Sequence, residues 1–180
     1  MGKGWKQAER DVAEFLSKWW RPIAPGCKFR RTPGSGGWGG REDVDVRSHF
    51  KACGDLMTTA ETFPFTVEVK YREAWAMKNV LAGKPCPVWE WWRQCQGDAK
   101  DQGAEPMMWF RKKRQPWWVM LRFDFVSERT ILPPHTAWAP STLKGVDYGA
   151  NVPVLFEAKK ILDQNPLRFL HGKRVTIEAP

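Results

Sequence analysis

The sequence lacks the features that place a chain in a membrane or a secretory pathway. Its 180 residues contain no apolar run of about 18, and residues 1–6 lack the hydrophobic segment of a signal peptide. The four cysteines include no Cys-x-x-Cys pair and the three histidines are dispersed, so the short ligand spacing of a structural zinc site is missing. We therefore expect a cytoplasmic protein that makes no membrane contact and has no disulfides, with buried thiols as the plain role of the cysteines.

Acidic residues are scarce relative to basic ones. Twenty Asp and Glu against 29 Lys and Arg give a net charge of +9. A basic surface favours a polyanionic partner, most often nucleic acid, because binding releases counterions. Tryptophan, usually rare, occurs 12 times. Most of these rings belong in a core or an interface, and exposed ones beside basic residues could stack on bases.

The clearest local pattern runs from residue 65 to residue 71, where apolar and polar residues alternate. This period of two predicts a β-strand with one apolar face. Glu68 and Lys70 share its polar face, roughly 7 Å apart, and Asp55 precedes the strand. Two carboxylates can hold a hard divalent cation, and a lysine can orient a nucleophile or stabilise a transition state, which suits metal-assisted phosphodiester cleavage. The alternative is an ordinary half-buried strand with a solvated Glu/Lys face.

A helix is predicted over residues 5–20, because Ala8, Val12, Leu16 and Trp19 recur at helical spacing before Pro22. Glu9 lies on or beside the apolar stripe of this helix. The carboxylate either reaches solvent at the edge of the stripe or faces the metal site.

Residues 26–42 form a loop rich in glycine and arginine. Three of its glycines match the pattern G-x-G-x-x-G, but no clear strand precedes them, no helix follows and no Gly-Lys-Ser/Thr is present, which rejects a dinucleotide site and a P-loop. The free backbone amides, the Ser35 hydroxyl and the arginines Arg30, Arg31 and Arg41 suit a phosphate backbone. A mobile linker is the alternative.

The second half of the chain predicts a helix beginning at Pro87 and ending before Gly103. Two apolar runs, Met107–Phe110 and Trp117–Leu121, then predict a β-hairpin whose basic tip, Arg111 to Arg114, is either a solvated turn or a DNA contact. Beyond it we expect a loop over residues 133–149, a short helix over 154–163 and a strand over 174–178.

Asp147 and the segment Glu157-Ala158-Lys159 repeat the order of acid and Glu-x-Lys near the C-terminus. The apolar residues around them follow a helical period, and side chains two apart on a helix diverge. We therefore discount this second copy.

In order, these motifs resemble the PD-(D/E)XK nuclease superfamily, and within it the archaeal-type and phage-encoded Holliday junction resolvases, over roughly residues 5–121. Glu9 stands where the family has its N-terminal helix glutamate, and residues 31–36 look like its Ser/Gly loop. Gly54-Asp55 and Glu68-Val69-Lys70 are similar to the two halves of the motif. The sequence departs from the family in its longer, tryptophan-bearing loop and in residues 122–180, to which we assign no counterpart. Gly54 replaces the proline of the family's name, a change that the superfamily often tolerates. Asp43 or Asp45 could supply the first acid instead, but both lie farther from the strand.

The resemblance implies an α/β restriction-endonuclease-like core with a central mixed sheet flanked by helices, which we place in residues 1–130, and a C-terminal extension in residues 131–180 packed on it. It implies Mg²⁺, with Mn²⁺ as a substitute, and a homodimer that cuts two strands of a four-way junction symmetrically. The metal would be held by Glu9, Asp55, Glu68 and the Val69 carbonyl, and Lys70 would assist the attacking water. The residues that would contact DNA are Arg30, Arg31, Ser35, Arg41, Gln94, Arg111, Lys112, Lys113 and Arg114.

One residue role and the function stay open at this point. Gln96 competes with Gln94 for the contact from the second long helix. On the same fold, the chain could instead be a recombination-associated exonuclease or a nonspecific or restriction-type endonuclease, because loops and dimer shape select the substrate. A non-catalytic DNA-binding protein is the second rival, against which the intact acid and lysine set argues.

Overall fold

A computed structural model describes residues 4–32, 50–128 and 153–170 of the chain. The helices are α1 (Gly4–Trp20), α2 (Met77–Leu81), α3 (Pro87–Asp101), α4 (Phe123–Glu128) and α5 (Ala158–Leu162), followed by a 3₁₀ turn at Pro166–Phe169. The strands are β1 (Phe29–Arg31), β2 (Lys51–Cys53), β3 (Leu56–Thr58), β4 (Phe65–Tyr71), β5 (Glu105–Arg111), β6 (Trp118–Arg122) and β7 (Pro153–Glu157). The predictions for Ser35, Arg41, Asp43, Asp45, Asp147, the loop over 133–149 and the strand over 174–178 lie outside the described residues.

The main sheet has four strands in the order β4-β5-β6-β7. The pair β4–β5 is parallel, and the pairs β5–β6 and β6–β7 are antiparallel. A parallel pair needs a crossover, and α3 lies within the connection from β4 to β5. The predicted α/β class with a mixed sheet flanked by helices is therefore confirmed.

Both faces of this sheet are buried, because alternate side chains of each strand enter two different cores. The face toward α1 carries Phe65, Val67, Val69, Met107, Trp109, Val119, Leu121, Val154 and Phe156. The face toward α3 carries Met108, Phe110, Met120 and Leu155, which pack on Val88, Trp89, Trp92 and Cys95 of that helix. The sheet is thus the middle layer of three.

A small antiparallel sheet, in the order β1-β3-β2, lies beside the edge strand β4. The turn between β2 and β3 reaches β4 directly, since Gly54 forms a parallel bridge with Val67. The Asp55 N–H then donates to the Val67 carbonyl at 2.8 Å. This turn holds Asp55 against the middle of β4.

The periodic segments formed as predicted: α1, β4, α3 and the β5–β6 hairpin are confirmed. Helix α3 begins with Pro87 in its first turn and is followed by Gly103 at a φ of 61°, the asymmetry expected of helix ends. All four cysteines are free thiols. None of the described helices is long and apolar enough to cross a membrane.

The helix predicted over residues 154–163 is wrong in its first half, which forms β7. Val154, Leu155 and Phe156 are all buried because both faces of the strand are covered, so their apolar run imitates a helical period. Glu157 ends the strand and Lys159 lies in α5, which separates the second Glu-x-Lys across two elements. The proposed boundary at residue 130 stays a prediction, although β7 is hydrogen-bonded to β6 in the main sheet.

Candidate active site

The polar face of β4 is covered by α3, and their side chains pair in register. Thr66 donates through its hydroxyl to the Gln102 side chain at 3.1 Å, and the Lys70 ammonium donates to the Gln94 side chain at 3.3 Å. Alternate strand residues are ~7 Å apart and helix residues four apart are ~6 Å apart. Asp98 therefore lies opposite Glu68, halfway between these two pairs.

Glu68 is only 5% exposed and forms an ion pair with Lys70. The alternative of a solvated Glu/Lys face is therefore wrong for the glutamate. A buried carboxylate needs charged or hydrogen-bonding partners to offset its lost hydration. Lys70 supplies one such partner in this arrangement.

Asp55 is fixed to β4 by its backbone and its side chain. Its carboxylate accepts the Val69 N–H at 2.8 Å, and its carbonyl accepts the Thr32 N–H at 2.9 Å. The Val67 carbonyl, which accepts the Asp55 N–H, points to the same edge of β4. Residues two apart on a strand share that direction, so the Val69 carbonyl also faces the Asp55 side of the strand.

Gly54 explains how the turn can approach so closely. Its φ is 80°, and a Cβ at this position would lie 2.4 Å from the Val67 carbonyl oxygen. Proline is locked near −65° and cannot adopt this conformation. Glycine at position 54 is therefore a structural requirement of this version of the motif.

Glu9 is buried, with 4% of its surface exposed, and accepts a charge-assisted hydrogen bond from the Arg31 guanidinium. The alternative in which Glu9 reaches solvent is therefore wrong. The Arg31 guanidinium also stacks on the Trp5 ring, with 4.9 Å to the ring centroid. Helix α1 and strand β1 thus bring an acid and an arginine to the Asp55 edge of the sheet.

Three carboxyl groups at this edge carry pKa values above their ordinary range. Burial, followed by repulsion from Asp55, raises the pKa of Glu68 to about 7 and that of Glu9 to about 6. Burial also raises the pKa of Asp55, against the lowering effects of the Val69 N–H and Lys70. Asp98 adds negative charge near Asp55 and Glu68. The edge therefore holds an excess of buried negative charge that a bound cation would relieve.

The donor set fits a hard divalent cation such as Mg²⁺ or Mn²⁺, which prefers carboxylate and carbonyl oxygens. Within residues 4–32, 50–128 and 153–170, no group of three or more His, Cys, Asp or Glu side chains is arranged to hold a metal ion. In this arrangement Glu68 is paired with Lys70 and Glu9 with Arg31, so a cation would compete with both basic side chains for these carboxylates.

The predicted basic hairpin tip divides into two parts. Arg111 makes an ion pair with Asp11 at 3.0 Å and stacks on Trp117, 4.4 Å from the ring centroid. These contacts tie the hairpin to α1, so they favour a structural role for Arg111 over the predicted DNA contact. Lys112 lies over the Trp75 ring, whereas Lys113 and Arg114 are exposed.

Sequence reasoning missed Asp98 in α3 and Gln102 at its C-terminal cap, two polar residues that face β4 together with Gln94. Their signal was present as an i, i+4, i+8 series along one helix face, which matches the i, i+2, i+4 series of Thr66, Glu68 and Lys70. The side chain that bonds Lys70 is Gln94.

Metal-free protein is expected to lose stability as the pH rises from about 5 to about 7. The native state binds more protons than the unfolded state in this interval, because the pKa of Glu68 rises from 4.5 to about 7 on folding. The free energy of unfolding then falls with pH, by on the order of 2–3 kcal/mol. Urea unfolding in EDTA across this range measures the effect. Glu68→Gln should flatten the slope, and an unchanged slope in that variant would contradict this assignment.

Comparison with known proteins gives the family. Searches of curated proteins and of solved structures returned no match. A family model described as "Phage putative PDDEXK endonuclease" matches residues 2–137, about three quarters of the chain. The matched region contains α1, the Gly54-Asp55 turn, Glu68-Val69-Lys70 and α3. The chain belongs to this phage PD-(D/E)XK endonuclease family.

Proposed function

We propose that this protein is a divalent-metal-dependent DNA endonuclease whose active site is the Asp55 edge of β4. One observation carries the proposal: the buried Glu68 and the half-buried Asp55 lie beside Lys70, desolvation raises the pKa of both carboxyl groups, and repulsion from Asp55 raises that of Glu68 further. Holding carboxylates in this way costs stability, which is typical of sites built for catalysis rather than for folding. A divalent cation would offset that cost.

Asp55 and Glu68 would hold the cation, with the Val69 carbonyl and Glu9 as further oxygen donors. When bound, Mg²⁺ lowers the pKa of a water and neutralises charge on the scissile phosphate. Each of these donors is positioned by the fold: Asp55 by the Val69 N–H, Glu68 by the sheet, and Glu9 by α1. The backbone of the proposed site would therefore be in place before the substrate binds, with the Lys70 and Arg31 ion pairs left to open, and such preorganisation is a main source of electrostatic catalysis.

Lys70 would orient the attacking water and stabilise negative charge on the phosphate. Its ammonium currently pairs with Glu68 and donates to Gln94. If a cation offset the charge of Glu68, the ammonium would be released from that ion pair and could turn toward the substrate, with the Gln94 side chain still accepting its hydrogen bond. Arg31 could also contact phosphate, because it lines the open groove between α1 and β1.

Lys70→Met should reduce the single-turnover cleavage rate by about 100- to 1000-fold, the usual loss when one charge-stabilising group is removed. DNA binding should change little, because other residues make the phosphate contacts. Rates and binding are measured separately, by quenched-flow cleavage and by fluorescence anisotropy in EDTA. Lys100→Met is the control, because Lys100 is an exposed lysine of α3. This variant should cleave like the wild type. Equal rates for the two variants would remove Lys70 from the mechanism.

We further propose that the substrate is branched DNA, such as a four-way junction, cut by a Mg²⁺-loaded homodimer in the cytoplasm. The order of Glu9, Asp55 and Glu68-Val69-Lys70, which resembles the junction resolvases, supports this choice. Two active sites related by a two-fold axis would cut opposed strands symmetrically.

Purified protein incubated with Mg²⁺ or Mn²⁺ on matched substrates tests the substrate. A four-way junction should be cut in preference to linear duplex and single strand of equal length, in paired symmetric positions, by a dimer. Equal cleavage of junction and duplex, or a strictly monomeric enzyme, would favour another nuclease of the same fold. No cleavage of any substrate, with DNA still bound, would favour the non-catalytic alternative.

A further inference from the structure

An open groove of about 470 Å³ runs along α1 where β1 packs against it. The side chains that line it are Arg10, Ala13, Glu14, Ser17, Lys18, Arg21, Phe29, Arg30 and Arg31. Ser17 fixes its floor, since the hydroxyl accepts the Phe29 N–H at 2.9 Å and donates to the Ala13 carbonyl at 2.7 Å. The groove is therefore a stable feature of the packing between helix and strand.

Five of the nine lining residues are cationic and one is acidic. The acid, Glu14, is already paired with Lys18 at 2.6 Å, and Arg31 is paired with Glu9. In the part of the chain that the structure describes, Arg10, Arg21 and Arg30 make no ion pair. Like charges in one concave surface repel one another and raise the local concentration of anions. The uncompensated charge is what a polyanion would neutralise.

The basic residues of the groove extend far enough along α1 to follow a short strand of nucleic acid. Arg10, Glu14, Ser17 and Arg21 follow one face of α1 at helical spacing, and Arg10 to Arg21 spans ~16 Å at 1.5 Å per residue. One DNA strand covers that distance in roughly five nucleotides at 3.4 Å each. Arg31 lines the groove and is paired with Glu9, so the groove adjoins the candidate active site.

We infer that this groove between α1 and β1 binds the sugar-phosphate backbone of the DNA strand that enters the active site. The inference rests on the proposed nuclease function and adds Arg10, Lys18 and Arg21 to the residues that contact substrate. Arg31 lies where the groove meets Glu9. It would contact the backbone of the bound strand between the groove and the Asp55 edge. Guanidinium groups along a backbone give affinity and register with little sequence preference.

Charge removal in the groove tests this directly. Fluorescence anisotropy with a short labelled duplex in EDTA compares Arg10→Gln/Arg21→Gln with Lys159→Gln/Lys160→Gln, which removes two exposed charges from α5. The groove variant should bind about tenfold more weakly or worse near 0.1 M salt, and the slope of log affinity against log salt should fall by about two. The α5 variant should stay within about twofold of the wild type. Equal losses in the two variants, or none in the groove variant, would overturn the inference.

Removal of a negative charge from the groove should have the opposite effect on DNA binding, which gives a second test. Glu14→Gln removes the one acid of the groove, so it should tighten DNA binding by about two- to threefold. Glu90→Gln, an exposed acid at the start of α3, is its control and should have little effect. Weaker binding by Glu14→Gln would contradict an electrostatic groove.

Failure of the groove and failure of the nuclease proposal give different results. If the wild-type protein binds no DNA, both the nuclease proposal and the groove proposal fail. If the groove variant binds DNA as well as the wild type does, only the groove proposal fails. Polyglutamate serves as the probe for an acidic protein partner. Displacement of the duplex by polyglutamate at equal charge concentration, as effectively as by unlabelled DNA, would overturn the assignment to a nucleic-acid backbone. Circular dichroism checks folding, which exposed Arg10 and Arg21 should not affect.

Discussion

Asp55→Asn is expected to abolish DNA cleavage, by about 1000-fold or more, while DNA binding in EDTA stays within about twofold of the wild type. Asparagine keeps the shape of the side chain and can still accept the Val69 N–H, but it removes the charge that would hold a divalent cation. A thousandfold loss corresponds to ~4 kcal/mol of transition-state stabilisation. Single-turnover cleavage with Mg²⁺ measures the rate, and titration calorimetry with Mn²⁺ measures the lost metal binding.

Glu68→Gln should behave in the same way, because Glu68 supplies the second carboxylate. Asp163→Asn, an exposed acid after α5, is the control and should cleave normally. Wild-type cleavage that persists in EDTA, or a fully active Glu68→Gln variant, would rule out the metal mechanism.

The same substitutions should stabilise the metal-free protein. Burial raises the pKa of both Asp55 and Glu68, which means that their charged forms destabilise the fold at neutral pH. Removal of either charge should therefore raise the midpoint of thermal unfolding in EDTA. An inactive variant that is more stable than the wild type cannot owe its inactivity to unfolding, so the two measurements together separate a catalytic role from a structural one.

Among the elements that the sequence predicted well, α1 and β4 each have two faces that differ in polarity. Helix α1 exposes one side and buries another, so its apolar residues recur with a clear helical period. Strand β4 alternates because its polar face carries the site. Strand β7 has no such contrast, since residues 153–156 are all buried. A continuous apolar run of this length fits a buried strand and a helix equally.

The candidate site divides in a similar way. Glu68 and Lys70 are two residues apart on one strand, so local periodicity was sufficient to place them together. Asp98 lies near Glu68 only because α3 packs across β4. No short-range sequence pattern predicts that packing. The ion pair of Arg111 is made with Asp11, which lies 100 residues away in the sequence. The sequence therefore identifies a basic hairpin tip, but it does not show that one of the basic residues is ion-paired within the fold.

Gly54→Ala is expected to destabilise the protein by on the order of 3 kcal/mol and to reduce cleavage by about 100-fold. The left-handed conformation costs an L-residue about 1–2 kcal/mol. The added Cβ would also lie 2.4 Å from the Val67 carbonyl oxygen, so the turn must move away from β4. Asp55 moves with it, and a displacement of about 1 Å at a reacting group can cost 100-fold in rate. Thermal unfolding and single-turnover cleavage measure the two effects.

Gly26→Ala separates the two causes of that loss. Gly26 has a φ of 81°, nearly the same as Gly54, but a Cβ there would meet nothing within 4 Å. This variant should therefore lose only about 1–2 kcal/mol, the conformational cost alone, and should cleave DNA at the wild-type rate. In a chain of this size each 1 kcal/mol shifts the unfolding midpoint by roughly 2–4 °C, so the two glycines should differ by several degrees. Equal losses of stability and activity at both positions would mean that the contact between Gly54 and Val67 does not hold Asp55 in place.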